Sequence, residues 1–444
     1  MAAESSTAGT APIVQSATSA EAAAPLLPAA DGRFWRVGAQ ATYIWQKHPG
    51  FAAAYDGPHS LMSTAESGYT LTATLSLGLR PWRGAELFAT PEIIQSEELS
   101  ELHGLGGFSN AENQKSGGPK ARLYNARAFL RQTVNLGGEP VAVPDELIRF
   151  PATVTRRRVV ISVGQMALID VFDNNAYAHD GRTQFMNWSF LTHAASDYAA
   201  DARGYTWGGA IELYLDAWGF RLGRFAQAKQ SNGLALDFAL WQHFGDNVEI
   251  EHAHALVGQP GRVRVLGVRN YARMGGFEEA VALAQQTGGT PDLAAVRRNR
   301  SKYAVGLALE QAISTDLGVF GRASWNDGRT ETYAFTEVDR SLTLGGTLRG
   351  QWWRRPDDTF GLALAQNGIS EAHRRYLASG GLGIFLGDGQ LPNYAVERIV
   401  ECYYSFPPTP GLRASAGYQL IDHPAYNADR GPVQIFSIRF HAEY

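Results

Sequence analysis

Acidic, amide and basic side chains crowd into the stretch Asp170–Trp188, which reads DVFDNNAYAHDGRTQFMNW. Such groups donate and accept hydrogen bonds, and the candidates for contact with a polar solute are Asp173, Asn175, Asp180 and Arg182. The glycine and terminal glutamate of an EF-hand calcium loop are missing at the required spacing, so no metal site is predicted. The stretch follows a strand-like run but is too irregular to continue it. We predict that it lies inside a wall of strands and forms part of a polar constriction.

A second group of candidates lies in the stretch YNARAFLRQ, residues 124–132. If this stretch is a strand, Arg127, Phe129 and Arg131 share one face, because side chains alternate with a period of two. Two guanidinium groups and an aromatic ring on that face predict a polar lining; alternatively, the arginines only pair with carboxylates of the wall. The alternation places four further charged residues on polar faces, where paired or solvated wall charges are the simpler interpretation: Glu92, Arg158, Glu212 and Arg264.

Enzyme chemistry is not indicated by any motif. Glu249 and Glu251 fall on the opposite strand face from His252 and His254, which argues against a shared metal or acid–base site. The single cysteine, Cys402, excludes an internal disulfide and a cysteine-based zinc site. Paired carboxylates for glycoside hydrolysis stay open, because their spacing is set by the fold. We predict no catalytic residue, no cofactor and no metal.

The elements that must position these residues are strands. In Tyr69–Arg80, YTLTATLSLGLR, apolar residues alternate strictly with threonine, serine, glycine and arginine. A run of this length is close to the ~9–11 residues with which a tilted strand crosses a bilayer. Similar alternation recurs in about sixteen to eighteen runs, separated by alternating short and long connections. A β-propeller or β-helix is not favoured because no repeat period is visible.

Two features favour a membrane barrel over a soluble sandwich, although alternation alone does not separate them. The chain of 444 residues ends inside a strand, Val433–Tyr444, with an aromatic last residue, as expected where the last strand closes a wall against the first. Tryptophans also lie near the ends of the alternating runs, as in the interfacial girdles of barrels. The net charge of -4 does not indicate nucleic acid as a partner.

Two segments depart from the strand pattern. Residues 1–32 are rich in alanine, serine and proline and predict a disordered N-terminal tail, whereas residues 33–444 form the predicted barrel domain. The segment Gly276–Gln286, GFEEAVALAQQ, predicts a helix, with a possible extension over Asp292–Arg300. Because it lies between two strands, we expect it in a loop that packs against other loops.

Several stretches together resemble the carbohydrate-selective porins of Gram-negative outer membranes, the OprB family. The resemblance runs from residue 42 to the end of the chain and is carried by these stretches: TYIWQKHPGFAAAYDGPHSL (42–61), ATPE (89–92), LHGLGGFSNAE (102–112), YNARAFLRQ (124–132), the pieces FDNN, AHD and RTQFMNW of the stretch described first, DYAADARG (197–204), ISEAHRRYLASGGLGIFLGDG (369–389) and YNADRGPVQIFSIRFH (426–441). The resemblance implies an all-β, sixteen-stranded antiparallel transmembrane barrel with inward-folded loops carrying short helices. It also implies passive diffusion of small carbohydrates, such as glucose and polyols, through an arginine-rich, charge-paired constriction.

The expected partners follow from this resemblance: small sugars, outer-membrane lipid and lipopolysaccharide, with the chain a monomer or a homotrimer. The long N-terminal tail and the helical insert at 276–300 depart from the plainest form of the family. Two other functions therefore stay open at this point. One is a passage or docking protein for a larger glycan or another polar metabolite. The other is a soluble all-β carbohydrate-active enzyme.

Overall fold

The first strand of the protein pairs with the last, so that a single antiparallel sheet closes on itself. A computed structural model describes residues 33–115 and 118–444; the predicted tail, residues 1–32, lies outside the described residues. Register runs without interruption from Gln40 opposite Glu443 to Lys47 opposite Phe436. The predicted antiparallel barrel is confirmed, and a soluble sandwich is excluded by this closure together with the polarity described below.

Sixteen strands form the wall. In chain order they are β1 Trp35–His48, β2 Glu66–Leu79, β3 Ala85–Glu97, β4 Arg122–Val143, β5 Ala152–Met166, β6 Thr206–Leu215, β7 Trp218–Ala228, β8 Phe244–Leu256, β9 Gln259–Met274, β10 Arg298–Ala312, β11 Leu317–Asn326, β12 Arg340–Gly350, β13 Arg355–Gly368, β14 Glu397–Thr409, β15 Leu412–Asp422 and β16 Val433–Glu443. A two-residue strand, Leu236–Asp237, pairs with the end of β7 inside a loop and is not part of the wall.

Connections alternate between short turns and long loops, which gives the barrel two distinct ends. Short turns, such as residues 216–217, 257–258 and 410–411, lie at the same end as the first and last strand residues. Long loops, such as residues 98–121, 167–205 and 369–396, lie at the other end. In outer-membrane barrels the short turns face the periplasm and the long loops face outward.

The wall is apolar outside and polar inside. On β2, Leu71, Leu75 and Leu77 are 39–43% exposed, whereas Thr70, Thr72, Thr74 and Ser76 are at most 2% exposed. A soluble sheet places its apolar face against the core, and the reverse polarity is that of a barrel wetted by lipid outside and water within. Aromatic side chains mark both rims of the apolar band: Trp35, Trp82, Trp218 and Trp352 at the short-turn end, and Tyr43, Trp207, Tyr303 and Trp325 at the long-loop end.

A bulge in β4 changes which side chains face the lumen. Thr90 of β3 pairs with Arg127 while Pro91 pairs with Asn125, so Ala126 is an extra residue on β4. Simple alternation predicts Ala126 on the outside, but it is fully buried against Ala167 and Tyr205 of the loop after β5. Simple alternation therefore fails at Ala126, because a bulge reverses the facing of the residues before it.

Short helices occur in the loops, as predicted. They are α1 Trp188–Leu191, α2 Phe277–Thr287 and α3 Glu371–Ala378, with 3-10 turns at Leu99–Leu102, Asn113–Lys115, Leu168–Asp170, Ala294–Val296, Gln351–Trp353 and Pro424–Tyr426. The predicted helix is confirmed as α2, which ends at Gly288 in a left-handed conformation (φ 70°). Its extension is wrong, because only the turn Ala294–Val296 forms before β10 begins at Arg298. In residues 33–115 and 118–444, none of the helices has the length and apolar character needed to span a membrane.

The helix α2 packs against α3 over the mouth of the barrel, and a buried histidine joins the two. The imidazole of His373 stacks on Phe277 with ring centroids 4.2 Å apart. Its Nδ1 lies 3.1 Å from Asp339 Oδ2, and its Nε2 lies 3.7 Å from Glu337 Oε1. Burial alone would lower the pKa of His373, but the charge of Asp339 and its hydrogen bond raise that pKa to about 9.

We call the two packed loops that carry α2 and α3, residues 275–297 and 369–396, the loop cap. The raised pKa of His373 predicts that this cap loosens in alkali. The ion pair stabilises the cap fully below the ordinary histidine pKa of 6.5, and this contribution is lost as pH rises through about 9. Limited proteolysis of residues 275–297 and 369–396 should therefore speed up between pH 7 and pH 10. The variant His373→Gln, which lacks the titrating group, serves as the control. A pH dependence of the same size in His373→Gln would contradict the prediction.

Candidate functional site

The connection between β5 and β6, residues 167–205, turns into the barrel and contains the whole Asp170–Trp188 stretch. We call it the inward loop. Every residue from 185 to 200 is buried, although no strand or long helix holds this segment. Backbone groups buried in this way must find hydrogen-bond partners, and the wall of the barrel supplies many of them.

Carboxylates of the wall accept hydrogen bonds from backbone N–H groups of the inward loop. They come from β8 and β10, which have one strand between them, and from β14, four strands further around the barrel. For a buried carboxylate, such bonds replace the hydrogen bonds that water would otherwise donate to it. The bonds run from Asp173 N to Glu249 (2.7 Å), from Ala176 N to Glu310 (2.7 Å), and from Met186 N (2.7 Å) and Asn187 N (2.9 Å) to Glu401.

Arginines of the wall donate to backbone carbonyls of the same loop. Arg322 on β11 and Arg439 on β16 are both buried, and each guanidinium group spans two turns of the loop. Their bonds run from Arg322 to Phe190 O (2.6 Å) and Ala178 O (2.9 Å), and from Arg439 to Gly181 O (2.8 Å) and Gln184 O (2.7 Å). With the carboxylates, they tie the loop to the wall on several sides, so that it forms a belt inside the barrel.

Asp173 lies at the start of this belt. Its carboxylate accepts a hydrogen bond from Arg322 Nε at 3.0 Å and another from the backbone N–H of His193. Asp173 has a φ of 56° and a side chain with no exposure to solvent. The predicted solute-contacting residue Asp173 is therefore engaged in holding the loop's backbone and Arg322, and no solvent reaches its side chain.

Asn175 and Asp180 shape the turns of the belt. Asn175 Oδ1 accepts from the backbone N–H groups of Tyr177 (2.9 Å) and Ala178 (3.2 Å). Asp180 Oδ1 accepts from the N–H of Arg182 at 2.9 Å. Short polar side chains commonly close turns in this way by bonding to backbone groups two or three residues on.

Arg182 crosses from the belt to the wall and meets two carboxylates. Its Nη2 lies 2.8 Å from Glu92 Oε2 and 2.8 Å from Glu112 Oε2, and its Nε donates to Glu112 at 2.9 Å. Glu92 also accepts from Thr74 Oγ1 at 2.6 Å and has no solvent exposure. The sequence placed Glu92 on the lumen face and Arg182 in the constriction, and the structure brings them together as a buried ion pair.

Next to this pair, cationic and phenolic side chains from β4, from the loop before it and from the end of the inward loop gather together. We call Lys115, Tyr124, Arg127, Arg203 and Tyr205 the arginine–tyrosine cluster. Three of its cations lie over its rings: Arg127 at 5.2 Å and Lys115 at 5.6 Å from the centroid of Tyr205, and Arg203 at 4.8 Å from that of Tyr124. The side chains of Lys115 and Arg127 keep 18% and 15% of their surface exposed.

Each of two cations in the cluster has a carboxylate partner beside it. Arg127 donates to Asp170 of the inward loop through two hydrogen bonds of 2.7 and 2.8 Å. Lys115 donates to Glu112 at 2.9 Å. The bidentate pair of Arg127 and Asp170 fixes the plane of the guanidinium group, because a planar fork matches the two oxygens of a carboxylate.

The other predicted residues of the constriction lie nearer the short-turn end. Arg131 pairs with Glu86 at 3.0 Å and donates to Ile148 O at 2.9 Å, in the segment between β4 and β5. Phe129 is buried below the guanidinium of Arg131, 5.0 Å from its ring centroid. Arg158 stacks over the ring of Tyr214 at 3.8 Å, beside the 216–217 turn. The structure therefore separates these three residues from Arg182, and their contact with a solute stays a prediction.

Charges on β6 to β10 form a ladder around the lumen. Arg221 contacts Glu212, Glu249 and Glu251 at 3.3, 2.6 and 3.3 Å. Arg264 continues the ladder to Glu251 at 2.7 Å and to Glu310 at 3.3 Å. The geometry thus supports the simpler interpretation of Glu212 and Arg264 as paired charges of the wall.

The family model described as "Carbohydrate-selective porin, OprB family" matches residues 65–444, most of the chain and all of the site. The chain belongs to this family. It is therefore an outer-membrane sugar porin, and its family and fold are those of channel proteins. No curated protein sequence matches the chain.

Among solved structures, this OprB-family porin is similar in fold to OprB of Pseudomonas putida, with a TM-score of 0.70 and 15% identity over 93% of this chain and 94% of that one. The outer-membrane channel DcaP of Acinetobacter baumannii is also similar, with a TM-score of 0.50 and 10% identity over 92% of this chain and 97% of that one. At such identities the likeness concerns the barrel alone.

Sequence reasoning missed most of the porin's arginine–tyrosine cluster. Tyr124 stands on the opposite side from Arg127 by simple alternation, and only the bulge at Ala126 brings both into the lumen. Arg203 lies in the stretch DYAADARG and Tyr205 directly follows it, and the polar and aromatic composition of this stretch was the one available signal. In the part of the chain that the structure describes, no group of three or more His, Cys, Asp or Glu side chains is arranged to hold a metal ion.

Proposed function

We propose that sugars contact the porin at the arginine–tyrosine cluster as they pass the belt, and that they pass by diffusion without chemical change. The observation that carries this proposal is the residual solvent exposure of Lys115 and Arg127 at 18% and 15%. Glu92 and Asp173, by comparison, have none. A group that selects solutes must be reachable from the water in the lumen.

The chemistry of the cluster suits a small, neutral polyol. Guanidinium and ammonium N–H groups donate to hydroxyl oxygens, and the neighbouring Asp170 and Glu112 accept from hydroxyl hydrogens. The partly exposed ring of Tyr124, whose centroid lies 6.0 Å from that of the buried Tyr205, offers surface for the weakly apolar face of a sugar ring. Paired charges also disfavour apolar solutes, which gain nothing in exchange for the displaced water.

The belt favours small sugars over large glycans as the solutes. It crosses the lumen while tied to β8, β10, β11, β14 and β16, so the chain fills part of the cross-section. Liposomes containing the purified porin should swell in glucose and mannitol and should swell progressively more slowly in longer oligosaccharides. Glucose entry no faster than into empty liposomes would show that open sugar diffusion is wrong, and equal entry of long oligosaccharides would favour a passage for larger glycans.

The role of the cluster itself is tested by Arg127→Gln. Loss of a charge-assisted hydrogen bond of about 1.5 kcal/mol is expected to weaken the block of ion current by glucose about tenfold and to raise single-channel conductance. The double variant Arg127→Gln/Asp170→Asn removes the carboxylate that the single change leaves unpaired, and should behave in the same way. Arg131→Gln, whose partners Glu86 and Ile148 lie toward the short-turn end, tests the second predicted arginine separately, and a smaller change in glucose block is expected there than in Arg127→Gln. An unchanged glucose block in both Arg127 variants would remove Arg127 from the sugar path.

A further inference from the structure

Two arginines on the outer surface of the wall have no acidic partner. Arg269 and Arg273 are exposed on the lipid-facing side of β9. Among the residues that the structure describes, no carboxylate lies within salt-bridge distance of either one. Arg269 Nε donates to Ser301 Oγ at 3.4 Å, and its guanidinium lies 5.4 and 6.0 Å from the ring centroids of Phe244 and Tyr271. A guanidinium group without a carboxylate partner is costly at the midplane of the hydrocarbon and much less so at the interface. Their height on the barrel therefore decides their role.

The strand register places Arg269 at the outer interface. It stands directly opposite Tyr303 of β10, a member of the aromatic rim at the long-loop end. On its other side it stands opposite Asp246 of β8, which pairs in turn with Arg224 of β7 at 2.7 Å. Val263 and Val265 lie below it on the same face, 36% and 47% exposed, as expected for contact with acyl chains. Arg273, four residues further along β9, lies beyond the apolar band.

The loop beside these arginines carries the most exposed aromatic side chains of this rim. In residues 229–243, Phe238 is 66% and Trp241 is 85% exposed. The guanidinium of Arg224 lies 5.4 Å from the Trp241 ring centroid and 4.0 Å from that of Phe244. Exposed rings of this size are unfavourable in water and favourable at a membrane interface, where an apolar body meets polar headgroups.

We propose that Arg269, Arg273, Phe238 and Trp241 form a binding site for lipopolysaccharide in the outer leaflet, with the two arginines on its phosphate groups. The outer face of an outer-membrane porin at the long-loop end meets this anionic lipid, and unpaired guanidinium groups match phosphate in charge and in hydrogen-bond geometry. Four residues of strand separate the two arginines by about 13 Å, so they bind separate anionic groups. The two rings lie between the headgroup and the acyl chains.

The test uses the intact porin in detergent and purified lipopolysaccharide, the same lipopolysaccharide with its phosphates removed, and phosphatidylglycerol. Native mass spectrometry measures the fraction of barrels that retain each lipid. Because each basic residue near an anionic surface adds to the attraction, the variant Arg269→Glu/Arg273→Glu is expected to retain lipopolysaccharide at least about tenfold more weakly. Removal of the phosphates should produce a loss of similar size in the unmodified porin.

The matched control is Arg398→Glu on β14. Arg398 is exposed at the same end of the barrel in another sector and lies 3.8 Å from Asp422. Heat-modifiable gel migration confirms that each variant is a folded barrel. An equal loss in Arg398→Glu, undiminished binding of the dephosphorylated lipid, or equal retention of phosphatidylglycerol would overturn the proposal. The same surface could instead bind a second copy of the chain. The proposal would also be overturned if the double variant lost such a bound copy and kept its lipopolysaccharide.

Discussion

Replacing Arg182 with methionine is expected to destabilise the barrel by about 3–5 kcal/mol, the usual cost of removing one partner from a buried ion pair. Arg182 neutralises both Glu92 and Glu112 at 2.8 Å, and both carboxylates are buried. Without Arg182, Glu112 keeps only Lys115 as a cationic partner and Glu92 keeps only uncharged donors such as Thr74. The measurement is the midpoint of unfolding in guanidinium chloride, followed by loss of the heat-modifiable band. The loss comes from buried negative charge that is no longer balanced rather than from lost packing.

Two companion variants separate that cause from simple loss of packing. Arg182→Met/Glu92→Gln/Glu112→Gln removes both charges and should recover most of the lost stability, because neutral amides cost less to bury. Arg262→Met is the control for a lumen arginine that is 46% exposed, and should change stability by less than about 1 kcal/mol. If the triple variant is as unstable as Arg182→Met, the charge argument is wrong.

Replacing Arg322 with methionine is expected to release the belt while the wall stays closed. Arg322 holds the carboxylate of Asp173 and three loop carbonyls, those of Asp173, Ala178 and Phe190, all of which are buried. Losing these bonds frees the inward loop near β11, so single-channel recordings should show more frequent current fluctuations. The rate of liposome swelling in a disaccharide should rise by at least about tenfold, the change expected for the loss of a charge-assisted bond of about 1.5–3 kcal/mol.

The conservative variant Arg322→Lys provides the specificity test. An ammonium group keeps the charge next to Asp173 but does not reach two carbonyls at once with fixed geometry. Relative to Arg322→Met, the Arg322→Lys variant should therefore recover more of the lost stability than of the steady single-channel current. Glu401→Gln, which alters the belt three strands away on β14, should also raise current fluctuations through its bonds to Met186 and Asn187. Steady channels in both Arg322→Met and Glu401→Gln would show that the wall contacts do not position the loop.

These charges hold a loop in place more than they stabilise the sheet. Buried ion pairs add little net stability over apolar contacts, and their best-attested use is to specify one arrangement among several. The belt fits that role, because its backbone takes partners from wall residues of both signs, such as Glu249 and Arg439. We propose that the porin trades stability for a lumen of defined shape.

Much of the architecture could be predicted because its signal is local. The alternation in Tyr69–Arg80, the aromatic end of β16 and the helix α2 each depend on residues within one or two turns or strands. The period of two follows from the extended backbone itself, so it identifies strands and their lumen faces without knowledge of neighbours. The two departures, at Ala126 and after α2, arose where a bulge or a loop interrupted that period.

The amino-acid sequence by itself determined a closed wall, apolar outside and polar within, and an irregular polar stretch inside it. Only the tertiary structure decided which charges meet. Arg322 and Asp173 are 149 residues apart, and Arg439 and Gly181 are 258 apart. Pairing at such separations depends on the height of each residue along the lumen and on the path of the inward loop, and neither is encoded in a local period. The Asp170–Trp188 stretch is thus a belt held by the wall, and beside it Lys115 and Arg127 of the arginine–tyrosine cluster keep part of their surface exposed.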